Sequence, residues 1–274
     1  MALTDYELAP TARRVLNIFT LVDCSGSMAG EKIAALNDAM RNVIPIVAEI
    51  SSNNPDAEIH MAAYCFGSET KWITQKPVEA SMFGWTDLDA NGWTPMGAAC
   101  EELNNKLSHK HGFLNNASGS YAPVILLLSD GCPTDDFKKG MDALNSNNWF
   151  KHSTRIAIAI GNDADLGVLR TFTGNPELVL RVHNIDALKT AIKVVVVTSS
   201  MVCSQSSSAT ISAQPISGGA NISAVTTGTT SAAAVAVNKA DATAAAINEE
   251  LLAVDGISMG EEALMAEVDF DDFD

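Results

Sequence analysis

Asp23, Ser25 and Ser27 place one carboxylate and two hydroxyls at alternate positions of a single short segment, Asp23-Cys24-Ser25-Gly26-Ser27. The segment leaves the apolar run 15–22 and precedes a helix-like stretch from Glu31. Oxygen donors gathered on a loop past a strand end suit a hard divalent cation: Mg²⁺ first, with Mn²⁺ or Ca²⁺ as alternatives. Two further pieces suit the same ion. Thr94 lies in Gly92-Trp93-Thr94-Pro95-Met96-Gly97, and Asp130 lies in Ser129-Asp130-Gly131, directly after the apolar run 124–128.

Asp23, Ser25, Ser27, Thr94 and Asp130 follow, in order, the Asp-x-Ser-x-Ser, Thr and Asp pattern of a metal-ion-dependent adhesion site. On these residues the segment 13–200 resembles the von Willebrand factor type A (VWA) domain. The string Ser129-Asp130-Gly131-Cys132-Pro133-Thr134-Asp135 is most similar to bacterial intracellular members of the tellurite-resistance (TerY-like) type. The resemblance implies that Ser25 and Ser27 bind the ion directly and Thr94 directly or through water. Asp23 and Asp130 would act largely through waters. With few carboxylates on the ion, its open position would favour an Asp or Glu carboxylate from a partner protein. The resemblance therefore implies a protein-recognition module in a bacterial cytoplasmic stress or signalling system, with a Ser/Thr kinase and a phosphatase as candidate partners.

Two other classes compete. A Mg²⁺-dependent hydrolase or phosphatase needs a general base or nucleophile beside the ion. No His or Lys neighbours Asp23 or Asp130 along the chain, and Ser25 stands where an aspartyl-phosphate phosphatase has the second Asp of Asp-x-Asp. The expectation is that the chain is not an enzyme. The third class is a scaffold whose metal only braces its loops. Trp85 and Trp93 flank the Thr94 loop and suit an aromatic rim for a partner, with burial against the sheet as the alternative for Trp93. Asp135 and Asp136 read as helix-start residues rather than ligands. His109 and His111 read as solvated.

Composition narrows the partners. Thirty-three acidic residues against 17 basic ones give a net charge of −16. That balance argues against nucleic acid, since no basic patch offsets phosphate repulsion. No apolar run is long enough to span a membrane, and the first residues lack the basic-then-apolar pattern of a secretory leader. The five cysteines match no zinc spacing and read as reduced thiols in a cytoplasm. Cys24 and Cys132 either meet beside the metal loops or are simply two small, partly buried residues.

Strand-like runs at 15–22, 58–66, 123–129, 154–160 and 178–182, with a weaker one at 71–79, alternate with helical patterns at 31–50, 96–108, 135–147, 164–172 and 185–198. Continuous apolar runs such as Ile156-Ala157-Ile158-Ala159-Ile160 suit parallel strands covered on both faces. The expected architecture is α/β: a doubly wound, mostly parallel central sheet flanked by helices, Rossmann-like, with ligands at the carboxyl ends of the strands. Residues 1–12 read as an N-terminal extension, 13–200 as the domain, 201–238 as a Ser/Thr/Ala/Gly-rich linker, and 239–274 as an acidic tail with a helix-forming stretch at 240–254. From residue 199 onward there are eleven acids and one Lys, so the expected tail is flexible and acidic. It ends with Phe270 and Phe273 among five acids, either a short linear motif or a solvated end. A tether of about seventy residues would let those acids reach the metal site.

Overall fold

The structure is a computed structural model describing residues 13–116, 119–205, 232–251 and 254–259. In chain order its elements are β1 (Arg14–Cys24), α1 (Glu31–Asn53), β2 (Ala57–Gly67), β3 (Lys71–Trp72), β4 (Val78–Glu79), α2 (Met96–Lys106), β5 (Val124–Ser129), α3 (Phe137–Ser146), α4 (Asn148–His152), β6 (Thr154–Ile160), α5 (Leu166–Thr173), β7 (Val179–Val182), α6 (Ile185–Gln205), α7 (Ala232–Leu251) and β8 (Ile257–Met259). The strands form one sheet in the order β3-β2-β1-β5-β6-β7-β8, with β4 also on β2. Strands β2, β1, β5, β6 and β7 pair in parallel. The weak run at 71–79 resolves into the short β3 and β4, both antiparallel to β2.

Side-chain alternation explains the two helical layers. Leu16, Ile18 and Val22 of β1, Leu126 and Leu128 of β5, and Ile156 and Ile158 of β6 face a core closed by α1, α6 and α7. Phe19, Leu21, Ile125, Leu127, Ala157 and Ala159 face the other way, toward α2, α3, α4 and α5. Both faces of the central strands are dry, so their sequences read as continuous apolar runs. The chain steps from β1 to β2 on one side and later to β5 on the other. The gap between the carboxyl ends of β1 and β5 is thus the topological switch point, where sheets of this kind bind ligands. Asp23 lies at the end of β1, and Asp130 immediately follows β5.

The expected boundary near residue 200 needs correction. Helix α6 runs to Gln205, and α7 packs with Ala244, Ile247 and Leu251 buried in the same core as β1 and α1. Strand β8 then pairs antiparallel with β7, Val182 opposite Ile257. The stripe Ile247–Leu251 spans one helical turn and needs an apolar surface to cover it, and the α6 side of the sheet provides one. Ten sequence positions separate Met259, the last residue of β8, from Asp269. The N-terminal extension, most of the expected linker, and the Phe270 and Phe273 motif lie outside the described residues. Among the described residues no helix is long and apolar enough to cross a membrane.

Candidate metal centre

The Asp23 carboxylate is fully buried and held from two sides. Its Oδ1 accepts from the Ser25 backbone N–H at 2.9 Å, and its Oδ2 accepts from Ser129 Oγ–H at 2.5 Å. Burial pushes this carboxyl above its ordinary range, the hydrogen bonds from Ser129 and Ser25 pull it back, and the charge of Asp130 adds a further upward push. The turn that follows brings Ser25 Oγ and Ser27 Oγ to 3.0 Å from each other. That spacing matches one edge of an octahedron with bonds of about 2.1 Å. Ser25 is buried and Ser27 exposed, so the pair faces outward from the sheet end.

Backbone bonds stitch the other two loops to this one. Asn91 N–H donates to Cys24 C=O at 2.8 Å, and Gly26 N–H donates to Gly92 C=O at 3.0 Å. Gly92 has φ 73°, and a Cβ there would stand 1.7 Å from Ser68 Oγ, so this loop accepts only glycine at that point. Thr94, 4% exposed, is clamped by Thr134: its N–H donates to Thr134 Oγ1 at 2.9 Å, and its C=O accepts from Thr134 N–H at 3.0 Å. Asp135 accepts from Gly97 and Ala98 N–H at 2.8 Å each. It therefore caps α2, the helix after Thr94, while Asp136 caps its own helix α3 through Lys139 N–H. The sequence located two helix-start residues here but not that one serves the neighbouring helix.

Asp130 tests whether these residues suit a cation. Its side chain is 1% exposed, and among the described residues neither carboxylate oxygen has a hydrogen-bond partner. A buried carboxylate with unused lone pairs calls for a positive charge. With the two serine hydroxyls, Thr94 and Asp23 on the adjoining loops, the donor set is all oxygen and fits Mg²⁺, Mn²⁺ or Ca²⁺. Among the described residues no cluster of three or more His, Cys, Asp or Glu side chains offers a metal site, so the fit rests on hydroxyls and two carboxylates.

Two placements differ from the sequence reading, and the exposure of Trp93 chooses between its alternatives. No Lys neighbours Asp130 along the chain, yet the first turn of α1 brings Lys32 Nζ to 3.5 Å from Asp130 Oδ2. Burial alone would lower the Lys32 pKa, but Asp163 and Asp130 more than offset it and raise it above the usual value. Cys24 meets Cys65 rather than Cys132, because β1 and β2 run in register with Val22 opposite Cys65. Trp93 stands 74% exposed beside Thr94, which excludes burial for it. Trp85 is half-buried on α1, its Nε1–H donating to Asn37 Oδ1 at 3.1 Å. His109 is exposed and sits edge-on to Trp149. Ser129 and Thr134, which orient Asp23 and Thr94, were visible only as members of the Ser-Asp-Gly-Cys-Pro-Thr-Asp string.

No protein-family model matches the chain, and no curated protein matches it. Solved structures do. Proximal thread matrix protein 1 from the mussel byssus superposes with a TM-score of 0.50 at 17% identity, over 67% of this chain and 46% of that one. With the strand order and switch point above, that match decides the architecture. The chain has a VWA-type fold. The ArnB paralog VWA2 from Sulfolobus acidocaldarius aligns at 17% identity with a TM-score of 0.47, over 65% of this chain and 44% of that one. The VWA-like domain thus spans less than half the length of these two proteins.

Proposed function

We propose that this VWA-like domain is a metal-ion-dependent protein-recognition module that binds an acidic residue of a partner. The observation that carries the reading is Asp130: a buried carboxylate directly after β5, without a hydrogen bond among the described residues, its charge acting on Asp23 at the end of β1. A bound divalent ion, Mg²⁺ by preference, would supply a Lewis-acidic positive charge there. Ser25, Ser27 and Thr94 would hold it directly, with Asp23 and Asp130 as acceptors of its water. Ser129 and the Ser25 N–H keep Asp23 oriented, and Thr134 keeps Thr94 in place. Neutral hydroxyls leave the ion's charge largely uncompensated, which favours an incoming Asp or Glu carboxylate. Trp93 offers that partner an exposed apolar contact next to the site.

A hydrolase is the less favoured reading. Lys32 is the basic group nearest Asp130 among the described residues, and two carboxylates keep it protonated, so it is a poor general base. The Ser129–Asp135 string supports placing the protein with cytoplasmic bacterial systems of the tellurite-resistance type, alongside a Ser/Thr kinase and phosphatase.

The test is capture of partners on the immobilised full chain in Mg²⁺ and in EDTA, with Asp23→Ala as control. A carboxylate-dependent partner retained in Mg²⁺ and lost both in EDTA and on Asp23→Ala supports the module. Partners retained equally in EDTA would favour a scaffold with a bracing metal.

A further inference from the structure

Among the ligand candidates, Asp130 has a charge that the hydrogen bonds of the fold leave unanswered. Lys32 answers it by charge alone, at 3.5 Å from Oδ2. The same ammonium donates to Asp163 Oδ1 at 2.9 Å. The two carboxylates are unlike: the Asp130 side chain is 1% exposed and that of Asp163 68%. Lys32 thus bridges a buried acid at the metal loops and a solvated acid outside them. Gly161 makes the bridge fit, since a Cβ there would stand 2.7 Å from both Lys32 Cε and Asp163 Oδ1.

We infer that Lys32 is a built-in counter-cation of the metal centre, which neutralises Asp130 while the site holds no ion and yields to Asp163 when a divalent cation enters. The inference rests on the metal-binding reading above. Its physical basis is competition: one carboxylate cannot fully serve an ammonium and a divalent ion at once, and the two cations repel each other at short range. Asp163 keeps the displaced ammonium paired, so it need not become solvated alone. Lys32 is then a positioning residue that weakens the resting affinity of the site for metal. A partner carboxylate restores the charge balance, so metal and partner bind more tightly together than separately.

The experiment is calorimetric titration of the full chain with Mn²⁺, using wild type, Lys32→Met and Asp163→Asn, with Asp23→Ala marking the site. Lys32→Met is expected to tighten Mn²⁺ binding about three- to tenfold. Asp163→Asn, which leaves the ammonium with Asp130 alone, is expected to weaken it by a comparable factor. Thermal melts in EDTA supply an independent readout: Lys32→Met should melt below wild type, and Mn²⁺ should close the gap. Equal or weaker Mn²⁺ binding by Lys32→Met, with wild-type binding intact and abolished by Asp23→Ala, overturns the counter-cation and spares the metal site. Absence of Mn²⁺ binding in wild type and Lys32→Met alike overturns both. Should Lys32→Met fail to fold, Asp163→Asn decides alone, and unchanged or tighter binding counts against the inference.

Discussion

Ser129 Oγ–H donates to Asp23 Oδ2 at 2.5 Å, while Ser129 Oγ itself accepts from Gly131 N–H at 2.8 Å. One hydroxyl at the end of β5 therefore fixes both the carboxylate at the end of β1 and the turn that carries Asp130. Ser129→Ala leaves a buried carboxylate short of a donor. It is expected to cost about 1–3 kcal/mol in urea melts performed in EDTA. Mn²⁺ affinity should fall as well, because Asp23 is no longer held. A variant with wild-type stability and metal binding would show that this hydrogen bond contributes nothing.

The C-terminal elements should be part of the cooperative fold. Ile247 is fully buried against the α6 side of the core. Ile247→Ala is expected to cost about 2–5 kcal/mol. In a domain of this size that lowers Tm by roughly 5–15 °C, readable by circular dichroism. A chain ending at Gln205 should lose more, since it also uncovers the β7 edge paired by β8. An unchanged Tm in either protein would return the boundary to residue 200.

Trp93 should matter for binding and not for folding. At 74% exposure its removal is expected to change stability by less than about 0.5 kcal/mol. Affinity for an acidic partner in Mg²⁺ should fall about tenfold, as when an aromatic anchor is cut from an interface. Fluorescence anisotropy with a captured partner's acidic peptide measures this, and unchanged affinity would remove Trp93 from the recognition surface.

Cys65 should titrate at lower pH than an ordinary thiol. The Cys24 thiol beside it, helped by Lys71, offsets burial and holds Cys65 below the usual thiol value. Cys24 itself is pushed up, first by sharing its proton with Cys65 and then by burial, so it remains a thiol. Alkylation of Cys65 should therefore rise at lower pH than that of an ordinary thiol, following the thiolate fraction. Cys24→Ala should move that rise upward in pH, and a profile insensitive to Cys24 would contradict the pairing.

The sequence made the strand ends legible and left the long-range partners hidden. Asp23 and Asp130 could be placed because each follows a strand-like apolar run, continuous at 124–128 and broken only by Asn17 and Thr20 at 15–22. The strands from β1 to β7 were visible as strand-like apolar runs alternating with helical patterns, apart from the split of 71–79, where two-residue strands carry too little periodicity to separate. Lys32 was invisible as a site residue: it lies ninety-eight positions from Asp130, and only the packing of α1 beside the switch point joins them. The Ile247–Leu251 stripe was in view, but the neutral, aromatic-free stretch before it hid its docking. Strand β8 has three residues and gives no pattern of its own.

The central claim is that one divalent ion sits at the carboxyl ends of β1 and β5. Crystals grown in Mn²⁺ and measured at the manganese absorption edge test it most directly. The expected result is one anomalous peak within direct bonding distance of Ser25 Oγ and Ser27 Oγ, on the side of Thr94 and Asp130, absent from crystals of Asp23→Ala. A map from well-ordered wild-type crystals with no peak at that position would contradict the claim.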